Sequence, residues 1–270
     1  MSEPQRVLVD VRDGIATVSL NRADKHNALD LPMFDALVGA ASDLRKLKDL
    51  RVVILRGEGP SFCSGLDVGS VLKKPLKMAR SFATYGIKHS NVFQQAGLCW
   101  RDLPVPVIAA IHGSCYGGGL QIALGADFRI AAADAKLSVM EIKWGLVPDM
   151  SGTATLRDLM PLDVAKKLAM TGQIVSGMEA LALHLVTEVA SDPLAAAQEL
   201  AATLIGKSPD ALGGIKQLFD ANWNASVARA LALERKIQLR MLTGRNHREA
   251  VKANVEKRSP AFQARSFGGS

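Results

Sequence analysis

Gly117-Gly118-Gly119-Leu120-Gln121 follows one apolar run, Val107–Ile111, and Ser64-Gly65-Leu66-Asp67 follows another, Arg51–Arg56. Both runs read as buried strands, and the two loops after them read as halves of one anion hole. Small residues let a backbone approach a ligand closely. A glycine-rich entry to a helix leaves N–H groups unpaired and aligned with the positive end of the helix dipole. Such donors, fixed in advance around a developing oxyanion, lower a barrier by about 3–4 kcal/mol each.

Outward from these loops the pattern is that of an α/β chain. Val7–Val11 and Ile15–Leu20 alternate apolar and polar residues around Asp13-Gly14, the signature of a tight hairpin. Asp30 is placed to cap a helix whose apolar positions Met33, Phe34, Leu37, Ala40, Ala41, Leu44 and Leu47 recur at helical spacing, and Val52–Leu55 follows as a strand. The Lys- and Ser-rich segment Val68–Ser90, with Pro75 inside it, has weak periodicity and reads as a mobile region or lid. Residues Ile87–Trp100 read as helix, Leu120–Leu124 as a short helix, and Phe128–Ala131 and Leu137–Met140 as strands. Beyond Pro161 the spacing is helical almost throughout: Leu162–Met170, Met178–Leu183, Pro193–Ile205, Pro209–Asn222, Val227–Thr243 and Arg245–Val255, with Leu185–Val189 as a strand. The end, Arg258 to Ser270, is expected to fray.

The 270 residues, 48% of them hydrophobic and 22% charged, are enough for a large core. The longest apolar stretch, Val105–Ile111, is far short of the roughly 20 residues a membrane helix needs. The first residues lack the apolar segment of a secretory signal, so a cytoplasmic location is expected. Cys63, Cys99 and Cys115 are odd in number and show no CxxC spacing, which argues against a disulfide framework or a zinc site and for reduced thiols. A net charge of +7 fits either a plain basic surface or a polyanionic partner: nucleic acid, or a small ligand bearing several phosphates.

Six ordered blocks now resemble the enoyl-CoA hydratase/isomerase family, the crotonase superfamily, over nearly the whole chain. They are Asn21 to Leu29, Phe62 to Asp67, the glycine run with Ala126-Asp127, Glu141 to Pro148, Thr171-Gly172 with Glu179-Ala180, and Glu256 to Phe262. The resemblance implies a spiral of ββα units, residues 1–205, holding the acyl-CoA and the active site. It also implies a helical C-terminal region, 206–270, that mediates trimer formation, commonly as a dimer of trimers. The substrate would be an acyl-CoA thioester, with coenzyme A arriving as part of the substrate, no permanently bound cofactor and no metal. Carried over by position, the oxyanion hole is the backbone N–H of Leu66 and of Gly118. Lys25, with Ser64 and Asp67 in the adjoining loop, would meet the CoA, and Lys257 would reach the CoA of a neighbouring subunit. Where many hydratases place an aromatic residue against the adenine, this chain has Asn254.

The catalytic positions depart from the hydratase pattern. Hydratases of the family hold one water between two glutamates, and the first of these positions is Gln121 here. An amide cannot exchange a proton near neutral pH, so Gln121 can position water or substrate without acting as acid or base. The second position is Glu141, and Asp149 stands eight residues on. A lone Glu141 resembles the Δ3,Δ2-enoyl-CoA isomerases, and Glu141 with Asp149 resembles the dienoyl-CoA isomerases in part. The bland readings are a solvated strand-end carboxylate for Glu141, a helix N-cap before Ser151 for Asp149, and a satisfied strand-end imidazole for His112. The expected activity is double-bond isomerisation of an enoyl- or dienoyl-CoA through an enolate. The alternatives are enoyl-CoA hydratase, with Glu141 and a water held by Gln121, and an RNA- or CoA-binding protein. Arg45, Lys46, Lys48 and Arg51 would supply a basic helix face for RNA, but Asp43 and Asp49 interrupt it.

Overall fold

A computed structural model describes residues 5–71, 75–83 and 90–268. Strands β1 (Val7–Arg12) and β2 (Ile15–Leu20) pair antiparallel. Asp13 and Gly14 between them both take positive φ, 50° and 78°, the backbone a two-residue hairpin turn requires. A short 3-10 turn, Ala23–Lys25, leads to α1 (Leu31–Lys46), whose first turn is capped by the Asp30 carboxylate accepting from Met33 N at 3.0 Å.

Strand β3 (Val52–Gly57) then lies parallel to β2, and the short helices α2 (Val68–Val71), α3 (Pro75–Ser81) and α4 (Val92–Leu98) precede β4 (Val107–Ile111). There follow β5 (Ser114–Tyr116), α5 (Gly118–Ala123), β6 (Phe128–Ala131), β7 (Lys136–Ser138), α6 (Gly152–Leu156), α7 (Leu162–Thr171), β8 (Val175–Ser176), α8 (Gly177–Ala182) and β9 (Glu188–Val189). The strands make a six-stranded sheet, β1-β2-β3-β4-β6-β9, and a three-stranded sheet, β5-β7-β8. Helices α9 (Pro193–Ile205), α10 (Pro209–Asn222), α11 (Val227–Leu242) and α12 (Arg245–Val255) complete the chain.

At β3 and β4 the larger sheet is covered on both faces, which is why these strands read as unbroken apolar runs rather than alternating ones. Val53, Leu55, Val107, Ala109 and Ile111 face the main core with Phe34 and Leu37 of α1, while Val52, Ile54, Ile108 and Ala110 face a second cluster closed by Ala197 and Ala201 of α9. Among the described residues no helix is long and apolar enough to cross a membrane.

Two expectations need correction, on the helix before β4 and on the chain end. The segment Val68–Ser90, read as a mobile region or lid, holds α2 and α3, while its residues 72–74 and 84–89, and with them the first residues of the helix expected over Ile87–Trp100, lie outside the described residues. That helix starts at Val92, where Asn91 and Gln94 form a reciprocal capping box. The chain end does not fray up to Gly268. Arg265 is buried, and its guanidinium donates to the carbonyls of Arg45 (2.6 Å), Leu47 (3.1 Å) and Phe267 (3.1 Å), while Asp210 accepts from Ser266 N and Phe267 N. These side-chain-to-backbone bonds strap the tail across the end of α1, a long-range arrangement no local pattern encodes.

Arg265→Ala is therefore expected to lower stability by about 2 kcal/mol, because it removes three hydrogen bonds that a buried guanidinium makes to backbone carbonyls. Urea unfolding of the variant beside the wild type checks this, and an unchanged midpoint would contradict the strap.

Candidate active site

The two loops meet through a single parallel bridge between Cys63 and Cys115. Cys63 N donates to Ser114 O and Tyr116 N donates to Cys63 O, both at 2.9 Å. Three residues beyond each cysteine come Leu66 and Gly118. Leu66 bridges Leu29 in turn: Leu29 N donates to Gly65 O and Asp67 N to Leu29 O. In that parallel arrangement residues 65 and 67 bond to Leu29, so the N–H of Leu66 points to the other side. Gly118 is the first residue of α5, where a helix leaves its N–H unpaired. Neither N–H has a partner among the described residues.

Two glycines make this approach possible. Gly65 has φ +90°, and a Cβ there would lie 2.9 Å from Tyr116 O. A Cβ on Gly118 would meet Met150 Sδ at 2.7 Å and Leu29 Cδ1 at 2.9 Å. Helix α5 begins at Gly118, two residues before the start the sequence pattern gives, which puts the glycine N–H in the first turn rather than in a preceding loop.

Both N–H groups border a cavity of about 430 Å³. Its walls are largely apolar: Phe34, Leu66, Val68, Phe82, Phe93, Met140, Trp144, Leu146, Val147, Met150 and Ile174. The polar side chains of Ser64, Tyr116, Glu141, Lys143 and Asp149 line the same space. Phe93 packs edge-on against Phe34, with centroids 4.9 Å apart, and against Phe82 at 5.1 Å, so one side of the cavity is an aromatic wall.

Glu141 opens a 3-10 turn, Glu141–Trp144, and is only 9% exposed, which sets aside the solvated strand-end reading. Its Oε1 accepts from Gln121 Nε2 at 2.5 Å, and its Oε2 is buried with no partner. Burial pushes the carboxyl pKa up; its own backbone N–H and Gln121 oppose this by hydrogen bonding to the charged form, and Asp149 adds to the rise. Asp149 is exposed as a residue, yet desolvation of its carboxyl also raises its pKa. It is not the cap of the next helix: the residue before α6 is Ser151, in left-handed conformation at φ +73°, with no side-chain cap bond.

Gln121 is buried and does not face bulk water. Its Oε1 accepts from Met150 N (2.9 Å) and Gly152 N (2.8 Å), so both ends of the amide are committed.

The sites expected to meet a CoA fall in three places. Ser64 lines the cavity and its hydroxyl donates to Lys25 O at 3.3 Å, so Lys25 stands beside the loop with its side chain exposed. The Asp67 carboxylate is engaged with Arg22 Nη1 at 2.7 Å and Ser70 N at 3.0 Å; these partners outweigh partial burial and hold its pKa low. Lys257 follows α12 and is exposed, outside the cavity lining. His112 has its expected partner, Gly59 O at 2.9 Å from Nε2.

Sequence reasoning missed the clamp behind the loop. Asn27 is fully buried; its Nδ2 donates to Glu58 O, Ser61 O and Phe62 O, and its Oδ1 accepts from Arg22 N at 2.8 Å. Arg22 also sits between Asp67 and Asp30, and Asp30 pairs with Arg6 at 2.9 Å. The signal was the polar block Asn21 to Asn27 in a strand-to-helix connection, more polar than a two-residue cap demands.

A largely apolar cavity of about 430 Å³ thus has two backbone N–H groups without partners among the described residues, at Leu66 and Gly118, and one buried carboxylate, Glu141, in its lining. The family model for enoyl-CoA hydratase/isomerase matches residues 10–265. The mouse mitochondrial methylglutaconyl-CoA hydratase is 30% identical over 96% of this chain and 82% of its own. An enoyl-CoA isomerase/hydratase of Mycosarcoma maydis is 33% identical over 92% of each chain. The crystal structure of a Bacillus anthracis enoyl-CoA hydratase superposes with a TM-score of 0.88 at 28% identity, covering 97% of this chain and all of that one. The chain belongs to the enoyl-CoA hydratase/isomerase family and has the crotonase fold; it is an enzyme of that family.

Gly65→Ala is expected to cost about 1–2 kcal/mol of stability from the positive φ and the clash with Tyr116 O. By displacing the Leu66 N–H it should also cut turnover about tenfold or more. Urea unfolding and steady-state kinetics on one preparation check both, and a fully active variant would remove Leu66 from the hole.

Proposed function

We propose that this enzyme moves a double bond in an enoyl-CoA or dienoyl-CoA thioester, with Glu141 as the proton carrier. The observation that carries the reading is the buried carboxylate of Glu141, whose one free oxygen stands beside a neutral amide instead of a second acid. In this reading the thioester oxygen accepts from Leu66 N–H and Gly118 N–H. Glu141 Oε2 takes a proton from C2, and the electron pair of that C–H bond moves onto the thioester oxygen as an enolate. Collapse of the enolate shifts the double bond, and the same carboxyl returns the proton to C4. With a dienoyl ester, Asp149, which lines the same cavity, would serve the remote carbon.

Coenzyme A would arrive as part of the substrate, its acyl chain against the aromatic wall and its phosphates toward exposed Lys25. Asp67 acts on this region through Arg22 rather than by touching an anion, since its charge is already paired. Residues 206–270 supply the oligomer surface. Phe219, Trp223, Val227, Leu239 and Val255 are all more than half exposed in the single chain, a density of apolar surface that fits a trimer or a dimer of trimers, with Lys257 near the neighbour's CoA. Hydration is the second reading, favoured by the printed names of relatives such as the short-chain-enoyl-CoA hydratase of Clostridium acetobutylicum. It requires a water activated by Glu141 without a second acid at position 121.

Mass spectrometry of the products from 2-enoyl-, 3-enoyl- and 3,5-dienoyl-CoA esters separates the readings: shifted double bonds are expected, and rapid formation of a 3-hydroxyacyl-CoA from the 2-enoyl ester would overturn the proposal. Glu141→Gln is expected to lower kcat by about 10²–10⁴ with ester affinity nearly intact. Because Glu141 works deprotonated and burial raises its pKa, the acid limb of kcat/KM should lie above the ordinary glutamate value. A limb at or below that value would point to another base.

A further inference from the structure

Gln121 stands where an acid would complete a hydratase, yet its amide is neither idle nor free to hold a water. Nε2 can only donate and a carboxylate can only accept, so the bond to Glu141 Oε1 fixes which way the amide points. The two backbone donors on the other side, Met150 N and Gly152 N, demand the carbonyl oxygen and fix the same orientation independently. No space remains for slack. A Cβ on Gly152 would lie 2.7 Å from Gln121 Oε1, and a Cβ on Gly117 would lie 3.4 Å from Glu141 Oε1.

We infer that Gln121 is a positioning residue that ties the Glu141 carboxylate to the 150–152 backbone, occupying Oε1 so that Oε2 alone exchanges protons. The inference rests on the reading of Glu141 as the proton carrier. It adds that the amide at position 121 selects a one-carboxyl mechanism by engaging one oxygen and leaving the other buried and unpaired. It also links the carboxylate to the segment bearing Asp149, since Met150 and Gly152 flank the turn that follows it.

A hydrocarbon and an acid at position 121 fail in different ways. Leucine removes the donor to Glu141 and leaves Met150 N and Gly152 N without an acceptor. Glutamate keeps an acceptor for those two N–H groups but sets a second carboxyl against Oε1, and two carboxyls in contact retain one proton between them. The other titratable side chains lining the cavity among the described residues are Asp149, Lys143 and Tyr116, and all three are unaltered in both variants.

The test follows the Glu141 carboxyl by ¹³C NMR in ligand-free protein labelled at glutamate, assigned by the resonance missing from Glu141→Gln. Gln121→Leu is expected to move the Glu141 titration to higher pH and to lower kcat tenfold or more, with KM within threefold. Gln121→Glu is expected to replace the single titration by two coupled steps. An unshifted titration in a folded Gln121→Leu protein overturns the inference. If that variant does not fold, an ordinary single titration of Glu141 in Gln121→Glu overturns it. The titration is independent of the reaction, so an enzyme that proves to hydrate its ester defeats the isomerase reading and leaves the role of Gln121 to be judged by the NMR result.

Discussion

Two backbone hydrogen bonds, Cys63 N to Ser114 O and Tyr116 N to Cys63 O, set the register on which the site depends. They join the ends of two strand-to-loop passages that are parallel and about fifty residues apart in sequence. Leu66 and Gly118 each lie three residues beyond this bridge, so a slip of one position would shift one N–H relative to the other and disperse the proposed oxyanion hole. The cysteines behave as packing residues here. Both are fully buried, and desolvation pushes the Cys63 thiol up to about 12, so the bridge is held by neutral, unreactive side chains. Gly119 fits against them because a Cβ there would lie 2.6 Å from Cys63 Cβ.

The polar block ahead of α1 protects that register. Asn27 satisfies three carbonyls of the Glu58–Phe62 segment, and Arg22 links Asp67 of the loop to the capping carboxylate of α1. Buried carbonyls without donors would cost about 1–3 kcal/mol each, more than the net gain from a typical surface ion pair. The hydrogen bonds of Asn27 and the part-buried ion pairs of Arg22 hold the loop together. Elsewhere in the cavity lining, the Glu141 carboxylate is held in the same manner by a single amide, Gln121, with its two ends fixed by that carboxylate and by two N–H groups.

Local chemistry made much of this legible in the sequence. The Asp13-Gly14 turn, the Asp30 cap and the unbroken apolar runs of β3 and β4 are near-neighbour effects, and each appears where its pattern places it. The glycine loops were legible because close backbone approach leaves few residue types to choose from. What stayed hidden depends on partners far along the chain. The three-stranded sheet consists of strands of two or three residues, too short to show a period, and β9 shrinks to Glu188–Val189. The tail past Arg258 looks polar and fraying because the carbonyls that hold Arg265 belong to residues 45 and 47. At the site, Gln121 was visible as a departure from a pair of acids. Its commitment to Glu141 and to the 150–152 backbone was not, since nothing in its neighbours' spacing announces those three bonds.

The central claim is that one carboxyl oxygen carries a proton from C2 to C4 of a thioester whose oxygen rests on Leu66 and Gly118. Its most direct measurement follows the isotope in a 3-enoyl-CoA deuterated at C2, converted in ordinary water and located by NMR and mass spectrometry. The account predicts that deuterium leaves C2 as the double bond moves to the 2-position and that a substantial part of it appears at C4, because Oε2 is buried and shielded from exchange with solvent. Retention of the full label at C2, with the double bond unmoved or moved without loss of deuterium, would contradict it.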